Sequence, residues 1–152
     1  MIGWLLDTNV IAALINKNGA PSVKNWAVGQ DEERMFISIL TLAKYDKGIE
    51  NLPPDDRNRY RYAAARDALE ERFFGRVLPL DNACVRRWGK ISGRVKQSTS
   101  HAPSVIDTML AATAVEHDLY LVTRNVKDVR SSGAAVFDPW RDDPGDFPVS
   151  RR

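Results

Sequence analysis

The chain has 152 residues, 43% hydrophobic and 28% charged, values typical of one globular domain that buries its own core. Its 22 Lys and Arg residues nearly balance its 20 Asp and Glu residues, so the net charge of +2 does not by itself indicate a nucleic-acid binder. The single cysteine excludes an intramolecular disulfide, and no apolar run approaches the roughly 20 residues of a membrane-spanning helix. We therefore expect a cytoplasmic protein without a signal peptide or a membrane anchor.

A short apolar run at residues 2–6 has the pattern of a strand buried on both faces of a parallel sheet. The run ends at Asp7, Thr8 and Asn9, and apolar residues resume at Val10 as one face of a helix. In an open α/β sheet such a junction is the carboxyl edge, where ligands bind. The alternative is that Asp7 or Thr8 only caps the helix, and this stretch alone favours the cap.

Further apolar runs alternate with helical patterns along the chain. Strands are predicted from residue 35 to near Ser38 and at residues 77–80, 119–122 and 134–137, with helices between them and Ser38 or Thr41 as the cap of the helix after the second strand. Pro79 makes the run at 77–80 a predicted edge strand, because proline cannot donate to the ladder. The alternation predicts an α/β fold, a single domain with a central parallel β-sheet flanked by helices on both faces. We expect the domain at residues 1–137 and a C-terminal tail at 138–152, which contains three prolines.

Residues 82–100 form the one segment whose charges clearly share a single sign. The segment contains five Lys or Arg residues and no acidic residue. Contact with a nucleic-acid backbone and a solvated helix face explain this pattern about equally well. The candidates for RNA backbone contact are Arg86, Arg87, Lys90 and Arg94.

Asp107 interrupts a predicted helix, residues 104–117, that is apolar nearly all round. An ionised carboxylate in such surroundings costs several kcal/mol unless a positive group pairs with it. One explanation is that the Asp107 carboxylate binds a metal ion. The other is a capping box, with Ser104 as N-cap and Asp107 three residues later.

Several oxygen ligands are predicted to meet at one edge of the sheet. Asp7 follows the first strand, and Asn125 with Asp128 follows the strand after the helix of Asp107. In a right-handed parallel sheet both junctions lie on the same edge. Oxygen ligands without cysteine or paired histidines suit Mg²⁺ or Mn²⁺ rather than zinc. Such a cation activates water and neutralises phosphate charge during phosphodiester hydrolysis.

Five sequence motifs, taken in their order along the chain, carry a specific resemblance to a known family. They are residues 5–11 (LLDTNVI), 37–43 (ISILTLA) followed by 47–50 (KGIE), 77–81 (VLPLD), 106–114 (IDTMLAATA) and 121–128 (LVTRNVKD). Together they span nearly the whole chain. In this order the motifs resemble PIN-domain ribonucleases, and within that superfamily the VapC and FitB-type toxins of bacterial toxin–antitoxin pairs.

The resemblance implies a metal-dependent endoribonuclease that forms a homodimer and is silenced by a small VapB-like antitoxin. Asp7 and Asp107 match the family's first and third acidic positions, and Asn125 falls at the fourth, with Asp128 nearby. Mg²⁺, or Mn²⁺, would be held by Asp7 and Asp107 with Asn125 or Asp128. Contacts to these ligands or to the RNA phosphate are expected from Thr8, Asn9 and Thr123.

Lys44 departs from the resemblance, because the family has a glutamate there as its second acidic residue. An ammonium at this position changes the local charge by two units and opposes cation binding. Asp46 points roughly 200° around the helix, and Glu50 lies more than one turn along, so neither replaces the missing carboxylate. We therefore expect this chain to bind divalent metal poorly and to cut RNA slowly.

Two origins of Lys44 are open. A toxic enzyme poisons its expression host, so a change from glutamate to lysine during production is the preferred explanation. The other is that the lysine is native and the protein is weakened or inactive. The alternative function is a PIN-fold protein that binds antitoxin or RNA without cleavage. An aspartate-nucleophile phosphatase is disfavoured, because Asn9 stands where such enzymes need a second aspartate.

Overall fold

A parallel sheet lies at the centre of residues 1–150, which are the residues described by this computed structural model. Its strands are β1 (Gly3–Leu6), β2 (Met35–Ser38), β3 (Val77–Leu78), β4 (Leu119–Val122) and β5 (Val136–Phe137). The strand order is β3-β2-β1-β4-β5, and every neighbouring pair is parallel. The predicted α/β fold with a central parallel sheet is confirmed, and β3 is an edge strand as its proline predicted.

The helices connect the strands and cover both faces of the sheet. They are α1 (Thr8–Ile15), α2 (Pro21–Val28), α3 (Ile39–Asn51), α4 (Asn58–Arg72), α5 (Asn82–Thr99), α6 (Val105–Glu116) and α7 (Val126–Val129). Side chains of α1, α2 and α4 belong to one core cluster, and side chains of α6 and α7 belong to a second. The α5 helix packs on the outside of α6.

Successive residues of β1 point to opposite faces, as expected of a strand. Trp4 and Leu6 pack in the cluster with α1 and α2, whereas Leu5 packs in the cluster with α6. All four β1 residues are buried. The central strand is therefore covered on both faces, which is the reason for its uninterrupted apolar sequence.

The start of two helices can be compared with the caps predicted for them. The strand predicted to end near Ser38 does end there: the Ser38 hydroxyl accepts a hydrogen bond from the Leu40 amide (3.0 Å), so Ser38 caps α3. Ser104 is the N-cap residue of α6 but makes no side-chain capping hydrogen bond. The capping box considered for Asp107 is therefore not formed.

The segment after β5 packs back onto the sheet. Phe147 packs against the rings of Phe137 and Tyr120, and the Tyr120 hydroxyl donates a hydrogen bond to the Pro148 carbonyl (2.8 Å). The Ser150 amide donates to the carbonyl of the first residue (2.9 Å). The predicted tail is thus held against the domain through residue 150. The last two residues of the chain lie outside the described range. The domain boundary predicted at residue 137 stays a prediction.

The two valines of α2 provide a matched test of this core. Val23 is fully buried, whereas Val28 is 87% exposed. We expect Val23→Ala to lower the free energy of unfolding by about 2 kcal/mol, because it removes buried methyl groups and leaves a cavity. Val28→Ala should change it by less than about 0.5 kcal/mol. Urea unfolding of both variants measures the difference, and equal losses would contradict the assignment of the core.

Candidate functional site

Asp7 lies at the carboxyl end of the central strand and is only 4% exposed. Its Oδ1 accepts a hydrogen bond from the Thr8 amide (2.7 Å), so Asp7 is also the N-cap of α1. Its Oδ2 accepts from the Thr123 hydroxyl (2.8 Å) and, at longer range, from the Asn9 amide nitrogen (3.4 Å). The cap predicted as an alternative is thus present, and it holds the carboxylate in a fixed orientation.

Thr123, at the end of β4, links the two strand ends across the edge. Its hydroxyl donates to Asp7 and accepts from the Asn9 side chain (3.2 Å) and the Asn125 amide (3.0 Å). The Asn9 side-chain oxygen Oδ1 in turn accepts from the Arg124 backbone amide (3.3 Å). The structure therefore brings together the predicted residues of the first and fourth strand ends, with Asn125 joined to this network through its backbone.

Lys44 lies in the site, on the first half of α3. Its ammonium nitrogen is 3.6 Å from Asp7 Oδ1, and its side chain is 37% exposed. This ion pair places a positive charge beside the most buried carboxylate of the site. Asp46 and Glu50, on the same helix, instead pair with arginines of α4, at 2.8 Å to Arg66 and 3.7 Å to Arg59.

Asp107 lies in the first turn of α6 and is half-buried. Burial raises the pKa of its carboxyl group, and the negative charges of Asp7 and Asp128 raise it further, while Lys44 partly offsets the increase. Asp107 therefore interacts electrostatically with both other carboxylates. Asp128 itself is exposed on α7, and so is the Asn125 side chain.

The side chains at this edge can be tested for their fit to the predicted Mg²⁺ or Mn²⁺ ion. The converging groups are carboxylates, with a buried Thr8 hydroxyl that has no hydrogen-bond partner within residues 1–150. Oxygen donors of this kind fit a hard divalent cation such as Mg²⁺. The Lys44 ammonium does not fit, because it already neutralises part of the charge that would attract the cation.

The basic residues predicted on α5 are spread along the helix. Arg87 pairs with Glu116 (2.6 Å) at the opposite end of α6 from Asp107. The Arg94 guanidinium lies beside Gly133, nearer to α7, and Arg86 and Lys90 are exposed. Their contact with RNA stays a prediction.

The structure also groups four exposed basic side chains, away from those of α5, that the sequence did not predict. Arg124, Lys127, Arg130 and Arg141 line a cleft of about 450 Å³ (the basic cleft), which Asn125 also lines. All four cations are exposed, and none of them forms an ion pair in the described part of the chain. The two carboxylates at the cleft, Asp138 and Asp142, accept hydrogen bonds from turn amides (both 2.8 Å).

Sequence and structure comparisons give a consistent assignment. The PIN domain profile matches residues 4–128. Toxin FitB from Neisseria gonorrhoeae is 28% identical over 138 residues, which cover 91% of this chain and 99% of that protein. VapC ribonuclease Y4jK from Sinorhizobium fredii is 28% identical over 136 residues, or 90% and 96% of the two chains. The solved structure of FitAB bound to an IR36 DNA fragment is similar with a TM-score of 0.81 at 26% identity, covering 92% of this chain and 97% of that one.

No helix within residues 1–150 combines the length and the apolar composition needed to cross a membrane.

The raised pKa of Asp107 has a consequence for stability that can be measured in metal-free buffer. A carboxyl whose folded pKa is raised stabilises the fold below its unfolded pKa, near 3.9, and this contribution is lost as pH rises through the folded pKa. Asp107→Asn should therefore increase the free energy of unfolding at pH 7, and the gain should vanish below about pH 3.9. Urea unfolding across this pH range, with chelator present, measures it.

The control for this experiment is Asp55→Asn, since Asp55 is exposed and lies in the turn before α4. The control should unfold like the unchanged chain at every pH. A variant Asp107→Asn that is less stable than the unchanged chain at pH 7 would contradict the electrostatic description of the site.

Proposed function

The chain belongs to the PIN-domain family, as its motifs predicted, and from this premise we propose that it is a toxin endoribonuclease of a toxin–antitoxin pair. The reaction is hydrolysis of RNA phosphodiester bonds, dependent on a divalent cation and weakened in this sequence by Lys44. One observation carries the proposal: Asp7, Asp107 and Asp128 interact at one edge of the sheet, with the Lys44 ammonium 3.6 Å from Asp7. The names of the relatives, a toxin and a VapC ribonuclease, support it.

The residues have distinct roles in this proposal. Asp7 and Asp107 hold Mg²⁺ or Mn²⁺, and Asp128 or Asn125 supplies a further oxygen. The chemistry that such a cation supplies is activation of water and neutralisation of the phosphate charge. Thr123 keeps Asp7 in position through its 2.8 Å hydrogen bond, as expected of a group that orients a ligand.

The remaining polar groups of the edge support this arrangement. The Thr8 amide fixes the second oxygen of Asp7, and Asn9 joins Asp7 to Thr123. Because both Asp7 oxygens already accept hydrogen bonds, its carboxylate cannot rotate freely. The proposal therefore places Thr8 and Asn9 among the groups that orient Asp7.

Lys44 weakens this site through its charge. Replacing the family's glutamate by lysine removes one negative charge and adds one positive charge beside a carboxylate that is 4% exposed. In such surroundings solvent screening is weaker than at the open surface. The Lys44 ammonium would compete with a divalent cation for Asp7, and this competition would lower the affinity of the site for Mg²⁺.

The same ion pair supports one alternative function. If position 44 is natively lysine, the Lys44–Asp7 pair stabilises a cation-free edge, and the protein binds antitoxin or RNA without cutting it. The two functions predict different results when a glutamate is introduced. Only the nuclease proposal predicts a gain of cleavage.

The partner in this proposal is a small VapB-like antitoxin that covers the toxin in the cytoplasm. Its support is the name of the relative, Toxin FitB, together with the similarity to the FitAB structure. The homodimer that the sequence resemblance implies stays part of the proposal.

The RNA strand is proposed to follow the basic cleft. Arg124 and Asn125 are neighbours in the chain, so the cleft adjoins the strand end that carries the site. Exposed cations without ion pairs are suited to binding phosphates, because they have no internal partner to give up. The Arg124 guanidinium lies over the Trp140 ring at 5.1 Å, which limits its motion.

Lys44→Glu tests the proposed activity. We expect this variant to bind Mg²⁺ more tightly and to cleave RNA at least about tenfold faster than the unchanged chain, because it restores a carboxylate beside Asp7. The measurements are cleavage of a mixed RNA with Mg²⁺, with Mn²⁺ and with chelator, and Mg²⁺ affinity by calorimetry. Adding Asp107→Asn to Lys44→Glu should abolish the gain.

Lys47→Glu is the matched control, since it makes the same charge change at an exposed residue on the same helix. The control should cleave like the unchanged chain. Equal Mg²⁺-dependent cleavage by the unchanged chain and by the Lys44→Glu variant would refute the role of Lys44. An absence of cleavage in all forms would favour the binding function.

Paired substitutions test the path of the RNA. We expect Lys127→Ala with Arg141→Ala to weaken RNA binding and to reduce the slope of log affinity against log salt by about 0.7 for each lost phosphate contact. The measurement is fluorescence anisotropy of a single-stranded RNA in chelator, which prevents cleavage. The matched pair on α5, Arg86→Ala with Lys90→Ala, should have a smaller effect. A larger effect of the α5 pair would move the RNA path to that helix.

A further inference from the structure

A second group of ligand-type side chains lies away from the carboxylate site. Asp81, Cys84 and His117 (the α5–α6 cluster) each offer one ligand atom, and these atoms all lie within 4.8 Å of one another. Asp81 and Cys84 stand three residues apart at the start of α5, so they share one face of its first turn. His117 is the C-cap residue of α6.

The cluster lies at the opposite end of α6 from Asp107. Ten residues of helix separate Asp107 from His117, a distance of roughly 15 Å along the helix axis. The cluster is therefore a site of its own, and its donors differ from those of the nuclease edge. A sulfur, an imidazole nitrogen and a carboxylate oxygen are together the donors that Zn²⁺ takes in proteins.

The contacts within the cluster hold two of its side chains together. Asp81 Oδ1 accepts a hydrogen bond from the Cys84 amide (2.9 Å), and the Asp81 carboxylate also interacts with the Cys84 thiol. The Nε2 atom of His117 is buried and has no hydrogen-bond partner among residues 1–150. A buried imidazole nitrogen without a partner costs free energy, which a ligand bound to His117 could offset.

The dimensions are compatible with coordination. Zinc–ligand bonds of about 2.0–2.3 Å place the ligand atoms of a tetrahedral site roughly 3.3–3.8 Å apart. The present separations, up to 4.8 Å, require the three side chains to close by about 1 Å, which small rotations of exposed Asp81 and half-buried His117 provide. Three protein ligands leave a fourth position for water.

We propose that Asp81, Cys84 and His117 form a zinc site that ties the start of α5 to the end of α6. The site takes Zn²⁺ with one thiolate, one imidazole and one carboxylate ligand, and it is independent of the proposed nuclease reaction.

Without metal, burial raises the pKa of the Cys84 thiol, and the Asp81 carboxylate raises it further. The thiol is therefore protonated at neutral pH in the absence of metal. Coordination forms the sulfur–zinc bond and releases the thiol proton to solvent.

Cobalt provides a direct test with the unchanged full-length chain, freed of metal and kept reduced by a non-thiol reductant. Added Co²⁺ should produce a thiolate-to-cobalt charge-transfer absorption that saturates at one ion per chain, and Zn²⁺ should bleach it. Cys84 is the only cysteine, so this absorption reports Cys84 ligation alone. Cobalt bound at the carboxylate site gives no such band, and absence of the band would overturn the proposal.

Variants then identify the other ligands by competition of Zn²⁺ with a chromophoric chelator. Cys84→Ser and His117→Gln should each weaken Zn²⁺ binding at least about tenfold, and the rise in melting temperature on Zn²⁺ addition should disappear. His101→Gln, which changes the only other histidine, and Asp55→Asn, at an exposed carboxylate, should leave Zn²⁺ binding unchanged. Loss of affinity with His101→Gln rather than His117→Gln would overturn the assignment. Circular dichroism verifies that each variant is folded. The cobalt spectrum of the unchanged chain tests metal ligation by Cys84 without any variant.

Discussion

The burial of one ionised carboxylate at the end of the central strand constrains the rest of the structure. Asp7 is 4% exposed, and a buried charge is tolerated only when hydrogen bonds and opposite charge compensate it. The compensation comes from the Thr8 amide, the Thr123 hydroxyl and the Lys44 ammonium. Chain segments that follow β1, β2 and β4 are thereby drawn to one point of the sheet edge, which is also the edge where parallel α/β sheets bind ligands.

The Lys44–Asp7 ion pair stabilises the metal-free fold, whereas the proposed nuclease activity requires a cation near the same carboxylate. Burial and, to a smaller extent, repulsion by Asp7 and Asp128 raise the pKa of Asp107, and the Lys44 ammonium partly offsets this within the chain itself. A fourth carboxylate at position 44 would increase the repulsion and make the edge depend on a bound cation. Under the proposed function, the charge that favours the metal-free fold would therefore disfavour the metal-bound one, as is common where active sites are electrostatically strained.

The α6 helix joins two sites of different proposed chemistry. Asp107 in its first turn contributes oxygen to the carboxylate edge, and His117 at its end contributes nitrogen to the α5–α6 cluster. The two residues lie roughly 15 Å apart along the helix axis. The buried apolar helix between them fixes both ends relative to the sheet.

The sequence by itself determined the alternation of strands and helices, and with it the edge where Asp7 and Asp107 meet, because hydrophobic periodicity and strand ends are local properties. The resemblance carried by its motifs also predicted Lys44 as a departure from the family's acidic set, and the structure places the Lys44 ammonium 3.6 Å from Asp7. Only the tertiary structure decided which distant side chains share a surface. Arg141 reaches the cleft of Lys127 because the C-terminal segment folds back onto the sheet, and the α5–α6 cluster forms because two helices pack together. Such contacts depend on how the elements pack against one another, and the periodicity of a single segment does not encode them.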